Sequence, residues 1–245
     1  PLALVRTEKS AKQLKKQVQG LTDDQVAVYD VTKNDARNPL ENYDKLVICT
    51  SATPKIKIWS IIKLFFLKLI GRGKNVRPEF TFPNGQPYVV DWLGTKQQID
   101  LAKASKSINQ VVMVSSMGGT QPENFLNTIG RVPEDDKSGN ILLWKRKAEE
   151  YLIQSGLAYT IVHPGGLLDK QGGENKVIMD FDDTLLQRKT RTIPRDDVAE
   201  VCIQSLTDRN AQFRSFDVIT EPYAETEEKK MNWLDFFSKK GNNKY

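Results

Sequence analysis

Arg6 follows the apolar run of residues 2–5 with no spacer, and no acid competes at the end of that run. A guanidinium placed there suits a phosphate dianion through paired, charge-assisted hydrogen bonds. The plainer reading is a solvated strand-end arginine. Asp30 and Val31 close a second apolar run, where they serve either a ligand or an ordinary turn. Thr50, Ser51 and Ala52 follow a third run, and side chains that small let a backbone approach a bound group. His163, the sole histidine, ends a further run just before Pro164 and Gly165. Its imidazole titrates near neutral pH and can act as an acid, although a lone histidine at a strand end is more often a structural hydrogen bonder.

These residues need a scaffold that brings several strand ends together. Apolar runs at 2–5, 26–29, 45–50, 110–116, 159–163 and 216–220 are short, rich in Val and Ile, and show little alternation. Strands of that kind are buried on both faces, as in parallel sheets. Helical patterns lie between them at about 8–19, 91–106, 140–155 and 195–206, with another near 231–239. Asp91 precedes one helical pattern, and Pro194 precedes another that carries acids in its first turn. The alternation predicts an α/β fold: a doubly wound parallel Rossmann sheet in one domain spanning 1–245, with a smaller C-terminal lobe at 164–245.

Strand order in such a fold is 3-2-1-4-5-6 with the first strand central. The run at 2–5 behaves as the second strand, 26–29 as the third and 45–50 as the fourth. The expectation is therefore a first strand and Gly-rich loop missing before residue 1, a segment of roughly 20–30 residues. Otherwise strands two and four would flank a slot about 10 Å wide with unpaired backbone on both sides, unless the sheet rearranges to close it. In this frame Arg6 faces an adenosine ribose, and an arginine there accommodates a 2′-phosphate; the expected cofactor is NADP, with NAD less favoured.

Composition narrows the function classes. The 245 residues are 39% hydrophobic and 27% charged, enough apolar side chain for a sizeable core. There is no secretory signal, and no apolar run reaches the length of a bilayer span. Cys49 and Cys202 sit in apolar runs and read as buried thiols. One histidine and no clustered cysteines exclude a structural zinc site. The net charge of +5 is local: 55–77 holds seven cations and no acid, so the remainder carries −2. That distribution argues against a nucleic-acid partner and for one special patch.

The stretches VVMVSSMGGT, GNILLWKRKAEEYLIQSGLAYTIVHPGGLLD and RTIPRDDVAEVCIQSL resemble the atypical short-chain dehydrogenase/reductases. More narrowly, they resemble the NmrA-like NAD(P)-binding proteins of plants, algae and cyanobacteria. The likeness runs over nearly the whole chain and implies a Rossmann fold with a bound nicotinamide dinucleotide. By that resemblance Ser115 or Ser116 matches the place of the family's catalytic serine. Lys147 aligns with the lysine of its Tyr-x-x-x-Lys element, where it would hold the nicotinamide ribose, and Pro164 and Gly165 would form the turn under the nicotinamide. The tyrosine is replaced by Leu143, which has no proton to give, so carbonyl reduction with the usual acid is not expected. The resemblance also implies a plastid location, in the stroma or on the stromal face of the thylakoid.

The insertion at 55–77 is the least globular part of the chain. Ten of the thirteen residues from 58 to 70 are large and apolar, Ile58, Trp59, Phe65 and Phe66 among them, with lysines interspersed. A short basic amphipathic helix suits an anionic membrane surface or a membrane protein; the other reading is a core helix. Two functions follow as expectations. One is an NAD(P)-binding scaffold or assembly factor docked on a membrane or membrane complex through 55–74. The other is an NADP-dependent oxidoreductase acting on a small organic substrate.

Overall fold

The structure is a computed structural model. It describes residues 1–33, 37–70, 77–224 and 230–244. Arg72 and Lys74 of the basic insertion lie outside the described residues.

In chain order, β1 (Ala3–Val5) leads into α1 (Glu8–Gln17) and β2 (Val26–Val28). Then come β3 (Lys45–Ile48), β4 (Lys55–Ile56), α2 (Ile58–Leu69), β5 (Phe80–Thr81), α3 (Thr95–Ser105) and β6 (Gln110–Val114). A short α4 (Phe125–Thr128) precedes α5 (Ile141–Ile153), β7 (Ala158–Pro164), β8 (Gly166–Leu168) and β9 (Lys176–Asp180). The chain closes with β10 (Thr192–Pro194), α6 (Arg195–Thr207), β11 (Arg214–Glu221) and α7 (Trp233–Ser238).

The main sheet has the order β3-β6-β7-β11-β9, parallel except for β9. Its inner strands are buried almost without alternation, as their continuous apolar sequences require. One face packs Leu46, Ile48, Val111 and Ile161 against Ile99 and Ala102 of α3 and Leu152 of α5. The other packs Val112, Val162 and Phe216 against Val198, Val201 and Cys202 of α6 and the aromatic pair of α7. Helices on both faces make the sheet doubly wound.

β1 and β2 form a separate parallel pair in the register Ala3↔Val26 to Val5↔Val28. Among the described residues β1 pairs only with β2, and β3 only with β6. Side chains tether the small sheet to α3: Gln97 Nε2 donates to the Tyr29 hydroxyl at 3.0 Å and to the Lys33 carbonyl at 3.2 Å. Gly94 permits this contact, since a Cβ there would lie 2.8 Å from Val31 Cγ2. At the β3 edge Val47 is exposed, and so is Cys49, which corrects the expectation of a buried thiol. Cys202 is buried as expected, and burial pushes its thiol up to about 12.

One further expectation changes, and one alternative reading drops out. Asp91 does not cap a helix: the helical segment begins with a π-helical turn at Tyr88–Gly94, and Asp91 sits buried inside it. Its carboxylate is drawn instead to a lysine of α5. The basic insertion is not a core helix either. Of α2 only Ser60 is buried, while Ile58, Trp59, Ile61, Ile62, Phe65, Phe66 and Leu69 are exposed. No described helix is long and apolar enough to cross a membrane.

Candidate functional site

The ends of β1, β2 and β3 surround a cavity of about 220 Å³, lined among others by Arg6, Asp30, Val31, Thr50 and Ser51. Five residues singled out from the sequence thus meet at one place. Arg6 is set by the turn between β1 and α1, where the Thr7 hydroxyl caps the helix by accepting from the Ser10 amide at 3.1 Å. Its Nε lies 3.3 Å from Asp30 Oδ2, and Nη1 donates to the Asn84 carbonyl at 2.7 Å. Nη2 has no protein partner among the described residues. Asp30 Oδ1 accepts from the Thr32 amide at 3.0 Å and the Thr32 hydroxyl at 2.7 Å. Burial alone would raise the Asp30 carboxyl; the Thr32 hydrogen bonds and the Arg6 charge outweigh it and hold it below its ordinary value. The corner is therefore an ion pair with one guanidinium edge left over, and that edge fits a phosphate. Ala52 is buried just behind it, its amide donating to Asp91 Oδ2 at 3.3 Å.

The second cluster lies where β6, β7 and α5 converge. Lys145 Nζ sits 2.8 Å from Asp91 Oδ1, and both side chains are buried. Together with Thr50 and Ser115 they line a space of about 10 Å³, room for about one water. Lys147, by contrast, is exposed on the outer face of α5, its ammonium 4.9 Å from the centre of the Trp92 ring. This corrects the expected ribose lysine: the α5 lysine that faces the strand ends is Lys145. Helix geometry explains the difference, because Lys145 shares a face with the buried Ile141, Ala148, Glu149 and Leu152. Four residues before Lys145 stands Ile141, so neither lysine has a phenol one turn earlier.

Ser115 is buried, and its hydroxyl donates to Glu149 Oε1. Ser116 Oγ donates to the Met117 carbonyl at 3.1 Å, while Arg146 bonds the Ser116 carbonyl. His163 is completely buried between Glu149 Oε2 at 3.0 Å and Asp217 Oδ1 at 3.3 Å, with Arg146 and Asn243 also in contact. An acid serving a substrate needs an exposed edge, and His163 has none; its place is structural. Burial would lower its pKa, but the Glu149 charge and the Asp217 and Glu149 hydrogen bonds hold it above the ordinary value in spite of Arg146. Burial would likewise raise Glu149, yet His163, Arg146 and Ser115 bring it down to about 2.

Pro164 completes β7, and the Gly165 amide donates to the Val218 carbonyl at 2.9 Å. A Cβ on Gly165 would lie 2.4 Å from the Arg191 carbonyl. Neither residue lines either space just described. The loop after β6 closes inward, with Gly118 and Thr120 amides bonded to Asp183 at 2.6 and 2.7 Å. Sequence reading missed Asp91, Lys145, Arg146, Glu149 and Asp183. The available signal was the spacing of Lys145 and Glu149 four apart on an otherwise apolar helix face, which marks buried charges that need partners.

The arrangement has known counterparts. An uncharacterized chloroplastic protein of Arabidopsis thaliana is 43% identical over 221 residues, covering 89% of this chain and 61% of the relative. This chain thus spans about three fifths of that relative's length. Sanguinarine reductase of Eschscholzia californica is 38% identical, covering 89% of this chain and 78% of the enzyme. A putative NAD-dependent epimerase/dehydratase of Bacillus halodurans shares the fold, with a TM-score of 0.62 at 22% identity over 91% of this chain and 83% of the other. The chloroplastic relative agrees with the plastid location expected by resemblance. Residues 1–209 match the model of the NAD(P)H-binding family, and the chain belongs to that family.

Proposed function

We propose that the chain is an NADP-binding scaffold or assembly factor of oxidoreductase-type fold, docked on a membrane or membrane protein complex through α2. The observation that carries this reading is the state of α2. Seven large apolar side chains stand exposed on a twelve-residue helix whose only charges are Lys63 and Lys68. Lys55 and Lys57 flank it. Exposed aromatic and aliphatic groups among cations suit insertion at the boundary of an anionic bilayer. The absence of a phenol before Lys145 or Lys147 supports a role that does not depend on the family's usual acid.

NADP rather than NAD is supported by Arg6, which lines the crevice and whose Nη2 has no protein partner among the described residues. A nicotinamide cofactor held there would supply hydride chemistry. The chain's own contribution would be to bind and orient it: Arg6 at the phosphate, with Thr50 and Ser51 lining the same crevice, while Lys145, held by Asp91, lines the adjoining small space that Thr50 also borders.

The test has two arms. The first is flotation with vesicles of phosphatidylglycerol and phosphatidylcholine, compared with phosphatidylcholine alone. Binding to the anionic vesicles, lost in F65S/F66S with circular dichroism unchanged, is expected; binding unaffected by that variant would refute docking through α2. The second is titration with NADPH and NADH. R6Q should weaken NADPH by roughly tenfold, the scale of losing a charge-assisted pair, and NADH much less. Equal losses would remove the 2′-phosphate role.

The likeness to sanguinarine reductase over most of both chains favours a second reading, an NADP-dependent reductase of a small organic substrate. Oxidation of NADPH by the purified protein in the presence of sanguinarine would establish it over the pure scaffold.

A further inference from the structure

A cavity of about 670 Å³ lies apart from the crevice at Arg6. It opens between the antiparallel β4–β5 pair and the loop that carries α4, within the size range of small-molecule sites. Its walls are apolar: Phe80, Phe125, Ile129 and Val132. Ile129 is buried in a cluster with Ala52, Phe82, Val90 and Ile141, which fixes the floor. Gly130, at φ +65°, lets the loop lie on Phe82, since a Cβ there would come within 2.5 Å of the ring. The Asn127 side chain anchors the same loop by accepting from the Leu142 amide at 2.9 Å. Phe125 and Val132, by contrast, are half exposed, at 56% and 49%. The cavity is a preformed apolar recess with open apolar walls.

Its charges are one-sided. Lys57, Arg77 and Arg131 line it together with one acid, Glu79. Glu79 is engaged by Lys57 at 3.1 Å. Arg77 and Arg131 have no ion-pair partner among the described residues. Two uncompensated guanidinium groups beside an apolar recess repel a cationic ligand and attract an anionic one.

We propose that this cavity binds an amphipathic anion, a single carboxylate on an apolar body, with the head at Arg77 and Arg131 and the body against Phe80, Phe125 and Ile129. Lys57 links the site to the membrane reading, because it lines the cavity and immediately precedes α2 as its N-cap. An acyl carboxylate from a lipid surface and a soluble aromatic carboxylate share this chemistry. The inference does not rest on the nucleotide crevice, and failure of NADPH binding would leave it standing.

Calorimetric titration of the purified chain tests it, with dodecanoate below its micellar concentration, dodecyltrimethylammonium and 1-naphthoate. One dodecanoate or naphthoate per chain is expected, with dodecyltrimethylammonium at least about tenfold weaker. The tighter of the two carboxylates identifies the source, acyl or aromatic. R77Q/R131Q should weaken the carboxylate by roughly tenfold or more at unchanged thermal stability. T128W, which puts bulk into the cavity from its exposed rim, should block it. F65S/F66S should leave it unchanged. Equal binding of the two dodecyl compounds, no effect of R77Q/R131Q, or loss of binding in F65S/F66S would overturn the proposal. So would absence of binding by both carboxylates.

Discussion

Glu149 organises the buried charge of the molecule. It accepts from Ser115, faces His163, and is engaged by Arg146, all at the end of the β6–β7 pair. Removing one partner of a buried pair strands the others, so E149Q should cost about 3 kcal/mol. The pH dependence separates this from a packing defect. Glu149 is depressed to about 2, so its contribution is complete above the unfolded carboxylate value and is lost as pH falls towards 2. His163 is raised, so its contribution is complete below its unfolded value and is lost as pH climbs through the folded one. The gap in melting temperature between wild type and E149Q should therefore peak at about pH 5–6 and close towards pH 2; a pH-independent gap would exclude the charge account. Asp197 gives the opposite case. Burial foremost, then Asp196, Glu174 and Glu200, raise its carboxyl against the Gly173 amide. One of its oxygens is buried without a hydrogen-bond partner. D197N should gain roughly 0.5 kcal/mol at neutral pH, reduced by solvent screening, and lose that gain below about pH 4, as thermal melts at both pH values would report. At this scale the sequence was only half legible. Arg6 and Asp30 could be placed because strand ends are marked by where apolar runs stop. Lys145 was separable from Lys147 only through the apolar face it shares with Ile141, Ala148 and Leu152, a periodicity that matching one lysine to a motif does not weigh.

Elements whose sequences repeat one pattern were read correctly, and those that depend on a neighbour were not. The inner strands β6, β7 and β11 are continuous Val/Ile runs and declare their burial. β9 is antiparallel and pairs with β11 although β10 and α6 lie between them in the chain, and nothing local marks it as part of the main sheet. α2 was legible as a segment, and its exposure follows from its cations. α7 is a different kind of element. Six residues are too few to hold a helix alone, so its stability must come from contacts. Phe236 and Phe237 pack on Phe216, and the Arg214 guanidinium donates to the carbonyls of Asn210 at 3.1 Å, Phe237 at 2.9 Å and Gly241 at 3.3 Å. One side chain thus joins β11, α7 and the chain beyond it. R214M keeps much of the aliphatic packing and removes every donor. It should raise amide hydrogen exchange across residues 233–243 while leaving β6 and β7 protected; uniform loss of protection would mean that Arg214 supports the whole core instead.

The whole molecule holds together unevenly. The main sheet is clamped by helices on both faces, whereas the β1–β2 pair meets the rest through side chains: Gln97 on Tyr29, Arg6 on the Asn84 carbonyl, and Leu4 on the α3 face of the core. Among the described residues its backbone forms no ladder with β3. The crevice at Arg6 takes residues from both sides, Arg6 and Asp30 from the small sheet and Thr50 and Ser51 from the end of β3. A ligand seated there touches residues of both sheets, so binding should stabilise the small sheet more than the large one. Ligand at about a hundred times its dissociation constant adds roughly 2.7 kcal/mol to the state that binds it. If opening of the small sheet alone destroys the site, its exchange protection should rise by up to that amount on adding NADPH. Exchange in β7 and β11, whose opening requires the main core to unfold, should change little under native conditions. Hydrogen-exchange mass spectrometry resolves peptides covering residues 3–5 and 26–28 from those covering 158–164 and 214–221. Slowing confined to the first two would make the nucleotide the element that ties the sheets together. Equal slowing of all four would mean that the sheets already unfold as one unit, with the side-chain tethers to α3 sufficient to couple them.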